Sequence, residues 1–173
     1  MQKIPRPNEG EYAPYAIMYI DLAPQDGLVL KHLQEALQST PKFILALPPE
    51  KLALRWKEGE WSIKEILVHI MDTERIFCYR ALRFARNDAT GLAGFEQDAY
   101  VHYSGANERD IAAVLEEYAA VRQSTLIFFK SLDEEALVRA GLVGGNQVSV
   151  RALAWMVTGH EIHHLNSIRE NYL

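Results

Sequence analysis

Apolar residues recur at helical spacing through most of the chain. Between Gly27 and Leu47, the residues Leu28, Leu30, Leu33, Leu37, Ile44 and Leu47 mark a first helix, and Pro41 predicts a kink or break within it. A second helix is predicted from Ser62 to about Arg86. Ser62 and Glu65 have capping-box spacing, and Trp61 and Ile66 are placed to form a hydrophobic staple. Ile63, Ile66, Leu67, Ile70, Phe77, Ala81 and Phe84 then keep one face apolar until Asn87-Asp88 favours a turn. Asn107 reads as the N-cap of a third helix over residues 108–131, whose apolar positions are Ile111, Val114, Leu115, Tyr118, Val121, Leu126 and Phe129. Between Val138 and Val150 the pattern changes, and Gly144-Gly145-Asn146 predicts the turn of a small hairpin. Ser149 can cap a last helix in which Leu153, Val157, His160, His164 and Ser167 or Ile168 follow a core rhythm.

These elements predict an all-α fold, an antiparallel four-helix bundle with a small hairpin before the last helix. The chain reads as one domain over residues 1–173, with an irregular N-terminal segment over 1–26 and one long irregular connection over 88–106 placed to cover a bundle end. At 173 residues and 49% apolar composition, the core needs neither disulfides nor a structural metal. With 18 Lys and Arg against 23 Asp and Glu, the net charge of −5 argues against a nucleic-acid partner. No apolar run reaches the length of a membrane span, and no signal-peptide pattern opens the chain. Cys78 is the single cysteine, which excludes an internal disulfide and a thiolate zinc cluster and fits a cytoplasmic location.

The chemistry lies in the histidines. His160 and His164 are four residues apart on one helix, so they project from one face and can share an ion. His69, on the seam Ile66, His69, Thr73, Ile76 of the second helix, is the natural third ligand. Three neutral imidazoles leave coordination positions open to water or substrate, and they suit divalent zinc, nickel, iron or copper. Such binding should weaken below about pH 6, where protons compete for unperturbed imidazoles. His163 is rotated by about 100° from His164 and is expected to point elsewhere. His32 and His102 read as surface or loop residues. The string His160-Glu161-Ile162-His163-His164 also matches HExxH, in which Glu161 would be a general base. Against a peptidase, Ser167 and Glu170 stand where the extended motif requires Gly and His.

Three segments carry a family resemblance: Trp61-Ser-Ile-Lys-Glu-Ile-Leu-Val-His69-Ile-Met-Asp-Thr-Glu-Arg75, Gly94-Phe-Glu-Gln-Asp-Ala-Tyr100 and Gly159-His-Glu-Ile-His-His164-Leu-Asn. Together they resemble the DinB-like family of four-helix bundles, often labelled metal-dependent hydrolases, over most of residues 28–172. The resemblance implies that His69, His160 and His164 are the metal ligands. It also implies a reaction among those of the family, which include transferases using low-molecular-weight thiols such as bacillithiol or glutathione and a mycothiol-dependent isomerase.

Asp72, Glu65 and Asp98 are candidates to orient a ligand histidine, Asp72 foremost. Arg75, Arg80, Arg83 and Arg86 could hold an anionic substrate, but surface ion pairing is the plainer reading. Cys78 reads as apolar packing. Tyr12, Tyr15, Tyr19, Trp56, Tyr100 and Tyr103 could line a pocket mouth or pack at helix ends. The leading expectation is an enzyme whose three-histidine divalent metal activates a thiol or water for a small-molecule substrate. A non-enzymatic metal- or small-molecule-binding bundle, homodimeric through an apolar helix face, is the alternative.

Overall fold

The computed structural model describes residues 2–173. Its helices are α1 (Ile17–Leu22), α2 (Val29–Leu45), α3 (Ile63–Ala85), α4 (Gln97–Tyr103), α5 (Ile111–Lys130), α6 (Glu134–Val138) and α7 (Val150–Asn171). Strands β1 (Ala140–Val143) and β2 (Asn146–Ser149) form an antiparallel hairpin with Ala140 opposite Ser149. The four long helices α2, α3, α5 and α7 build a bundle. Within it α3 packs along α7 and α5, and α2 packs along α5 and α7, so α2 and α3 face each other across a diagonal although they are consecutive in sequence. No helix among the described residues is long and apolar enough to cross a membrane.

Local chemistry explains the helix ends. Ser62 Oγ accepts from the Glu65 backbone N–H at 3.2 Å, and the Ser62 N–H donates to Glu65 Oε2 at 2.7 Å, which completes the capping box of α3. Ser149 caps α7 by accepting from the Ala152 N–H at 3.1 Å. The start of α5 differs from the expectation. Asp110, which accepts from the Ala112 N–H at 3.0 Å, is its cap, whereas Asn107 lies in a 3-10 turn and accepts from Ser62 Oγ at 2.6 Å. Pro41 does not break α2. It leaves the Leu37 carbonyl without its i+4 donor, yet the helix runs through it to Leu45.

The N-terminal segment is not simply irregular. After a 3-10 turn over Pro14–Ala16, α1 packs on α7, and the preceding residues are strapped to the bundle. The Ile4 carbonyl accepts from Trp155 Nε1 at 3.0 Å, and the Ile4 N–H donates to the Gly27 carbonyl at 2.9 Å. Glu11 pairs with Arg151 and accepts from Ser149 Oγ at 2.8 Å. The connection over 88–106 also contains structure. It carries α4, and Leu92 exchanges backbone hydrogen bonds with the hairpin, donating to Leu142 at 2.8 Å and accepting from Gly144 at 2.9 Å.

Gly159 sets the approach of α1 to α7. A Cβ built there would lie 1.8 Å from the Tyr19 carbonyl oxygen, so only glycine lets the two helices cross this closely. Its neighbour His160 is thereby brought against Tyr19.

Candidate metal centre

Helices α3 and α7 bring His69, His160 and His164 together, as the seam positions predict. His160 Nε2 lies 3.0 Å from His69 Nε2 and 3.1 Å from His164 Nε2, and all three atoms fall within 4.8 Å of one another. Hydrogen bonding alone cannot satisfy this cluster well. An imidazole nitrogen carries either a proton or a lone pair, so His160 Nε2 must donate to both neighbours or accept from both. The cluster fits a shared cation: nitrogens about 2.0–2.1 Å from one tetrahedral ion lie roughly 3.3 Å apart, close to the two spacings around His160.

The rings are held neutral and oriented. Burial, reinforced by the neighbouring imidazoles, lowers His69 to about 4 and His164 to about 3, and holds His160 well below its usual range. The expected weakening near pH 6 therefore moves to lower pH. Aromatic side chains frame the cluster. Tyr19 meets His160 edge-on at 5.3 Å, Trp61 lies 4.6 Å from His69, and Phe77 lies 6.1 Å from His160, all between ring centroids. His163 sits at the rim, 4.9 Å from the His164 ring and 5.7 Å from Tyr19, outside the converging group. His32 pairs with Asp26 at 3.0 Å, and His102 is exposed.

The carboxylates expected to orient the ligands are engaged elsewhere. Asp72 pairs with Arg75 at 3.3 Å, and Glu65 serves the cap of α3 and binds Arg55 at 2.6 Å. Asp98 is exposed on the walls of three clefts, two of which reach the cluster, and among the described residues none of the three carboxylates hydrogen-bonds an imidazole of the cluster. One cleft, about 540 Å³, reaches His160 between Tyr15, Tyr19, Thr73, Phe77 and Arg80. The other, about 290 Å³, reaches His164 past Trp61 and His163. The α3 face that lines the first cleft continues from Thr73 through Phe77, not through Ile76.

Glu161, the middle of the HExxH string, faces away from the cluster. It is 2% exposed, and its carboxylate accepts from Thr40 Oγ1 at 2.8 Å and Tyr118 Oη at 2.6 Å and pairs with Arg122 at 2.8 Å. Arg122, fully buried, also makes a two-nitrogen contact with Glu74 at 2.9 and 2.8 Å. This network ties together α2, α3, α5 and α7, and its carboxylates hold the Arg122 charge firmly despite burial. A general base needs a free oxygen near the metal, and Glu161 has none to offer, so the geometry of an HExxH peptidase is not formed. Sequence reasoning missed this triad. The available signal was that Glu74 and Arg122 occupy core positions, Glu74 four residues after Ile70 and Arg122 four after Tyr118.

The comparisons with known proteins agree with this architecture. The DinB superfamily profile matches residues 32–168. Among solved structures, YfiT from Bacillus subtilis, described as a probable metal-dependent hydrolase with an unusual four-helix bundle topology, superposes with a TM-score of 0.71. That match has 14% identity and covers 95% of this chain and 89% of YfiT, so it speaks for a shared fold. No curated protein matches the sequence. With the profile spanning all four long helices, this chain belongs to the DinB superfamily.

Proposed function

We propose that the protein is a metal-dependent enzyme acting on a small molecule, with His69, His160 and His164 holding one divalent cation and the cleft beside His160 admitting the substrate. The observation that carries this reading is the convergence of three desolvated Nε2 atoms that hydrogen bonding alone satisfies poorly. A divalent zinc, nickel or iron ion would supply Lewis acidity, lowering the pKa of water or a thiol toward neutrality. The chain keeps the three imidazoles neutral by burial and fixes their orientation with Tyr19, Trp61 and Phe77.

The nucleophile comes from solution. Cys78 hydrogen-bonds Thr125 at 3.2 Å on the α5 side, and burial raises its thiol to about 12. A low-molecular-weight thiol is the finer proposal and water the simpler one. In the thiol branch a sulfur–carbon bond forms as the bond from carbon to its leaving group breaks, the leaving group departs as an anion, and the thiol proton passes to solvent. The cellular setting proposed is the reducing cytoplasm, in keeping with the lone unpaired cysteine.

Elemental analysis of protein purified without an affinity tag or added metal tests the centre. One divalent ion per chain is expected, and His69→Ala, His160→Ala and His164→Ala should each abolish it while circular dichroism stays helical. Full metal affinity in the His69 variant would sink the ligand set. Metal-loaded protein offered an alkyl halide or epoxide with a panel of cellular thiols should show conjugation that the His164→Ala protein lacks. Equal rates across the panel would remove thiol transfer and leave water as the nucleophile.

A further inference from the structure

Arg80 stands out among the arginines of α3. Arg75 pairs with Glu117 at 2.5 Å, Arg83 pairs with Asp88, and Arg86 is exposed. Arg80 is only 6% exposed, yet among the described residues no carboxylate lies within 4.0 Å of its nitrogens. Its one hydrogen bond runs from Nη2 to the Ala93 carbonyl at 3.0 Å. A guanidinium has five N–H donors, so most of its capacity is unused. Phe77 and Phe95 flank it, with ring centroids 6.0 and 5.8 Å from its central carbon, which limits its movement. Burial disfavours its charge, and no acid offsets that cost.

The same cleft holds a second unpartnered polar group. Thr73, 3% exposed, has the one buried side-chain oxygen without a hydrogen-bond partner among the described residues. Thr73, Phe77 and Arg80 follow His69 along one side of α3, and all three line the cleft of about 540 Å³ that reaches His160. Glu96 and Asp98 lie on its wall but are exposed and do not pair with Arg80. The cleft wall thus carries His160 of the imidazole cluster, an unneutralised guanidinium and an idle hydroxyl, and along α3 Thr73 lies between His69 and Arg80.

We propose that Arg80 is an anion-recognition residue that binds the carboxylate of an elongated small substrate, whose reacting group lies at the histidine cluster while Thr73 hydrogen-bonds its middle. The placement of the reacting end rests on the metal reading given above. His69 and Arg80 are eleven positions apart, about 16 Å of helix rise, and the long arginine side chain leans back toward the helix N-terminus and shortens that span. The substrate class is therefore a linear molecule with an anionic group several bonds from its reactive centre.

Two measurements test the proposal. Metal-loaded protein is titrated calorimetrically with ω-carboxyalkyl hydroxamic acids of increasing length, whose hydroxamate chelates the metal, and with their methyl esters. At the best length the acid should bind about tenfold more tightly than its ester, the scale of one charge-assisted contact. That advantage should vanish in Arg80→Gln and partly persist in Arg80→Lys, with ester affinity unchanged in both. Equal binding of acid and ester at every length, or an advantage that survives in Arg80→Gln, would overturn the proposal.

The second measurement does not involve the metal. In metal-free protein, the Arg80 Nε–H resonance, assigned by its loss in Arg80→Gln, should shift saturably with heptanoate and not with heptanamide. No shift would overturn the anion site even where the metal binds. A shift in protein that fails to load metal would sustain the anion site and remove the metal reading.

Discussion

Removing charges from the buried Glu74–Arg122–Glu161 triad should reveal what Glu161 does. Arg122→Met leaves two carboxylates facing each other where the guanidinium had reached both at 2.8 Å. Loss of one partner from a buried ion network costs about 3–5 kcal/mol, which in a chain of this size lowers the melting temperature by roughly 6–20 °C. Glu161→Gln removes one carboxylate and leaves the Arg122–Glu74 pair intact, so about 1–3 kcal/mol is expected. Thermal and urea unfolding measure both variants, with metal content determined in parallel. A Glu161→Gln protein of wild-type stability that keeps its metal and loses its activity by orders of magnitude would refute the reasoning and restore Glu161 as a base.

Four further outcomes are expected. Because the folded imidazoles titrate near 4 and 3, metal affinity in chelator competition should hold from pH 7.5 to about 5 and fall only below that, and a loss centred on pH 6 would contradict a desolvated site. The metal-free protein should be most stable above about pH 6.5, the unfolded histidine value, and lose stability as pH falls toward 4, since only the unfolded chain takes up those protons. Gly159→Ala should destabilise, because the 1.8 Å clash with the Tyr19 carbonyl costs about 1–3 kcal/mol against a helix-propensity gain of about 1 kcal/mol, and an unchanged melting temperature would count against the α1–α7 contact. Cys78 should resist iodoacetamide at pH 8 until the protein is unfolded, and rapid labelling of the native protein would contradict its raised pKa.

The parts of the fold written in local chemistry were legible from the sequence. Apolar periodicity located the four long helices, and the Ser62–Glu65 pair located the start of α3 to the residue. The histidine cluster was legible for the same reason, since i, i+4 spacing on α7 and a seam position on α3 fix the direction of each ring. Long-range features were not legible. The strap over the N-terminal residues depends on Trp155 and Arg151, both remote in sequence, and α1 is too short to show a period. Asn107 and Asp110 are both competent caps, and the contact of Asn107 with Ser62 decides between them. Arg80 and Arg122 resemble the solvated arginines beside them until the neighbouring helices are in place.

The HExxH string shows why spacing needs its surroundings. Along α7 each residue turns by about 100°, so His160 and His164 share a direction while Glu161 points well away from it. What each direction meets then assigns the chemistry. The histidines meet α3 and the aromatic side chains, where burial keeps them neutral, whereas Glu161 meets Arg122, Tyr118 and Thr40, where its charge is balanced. The separation has an electrostatic consequence for the proposed function. A cation held by three neutral rings, with no carboxylate ligand, would keep the site's net charge positive and would be a stronger Lewis acid than one partly neutralised by glutamate. Such a centre, beside a cleft that also holds the unneutralised Arg80, would suit substrates that bring negative charge with them.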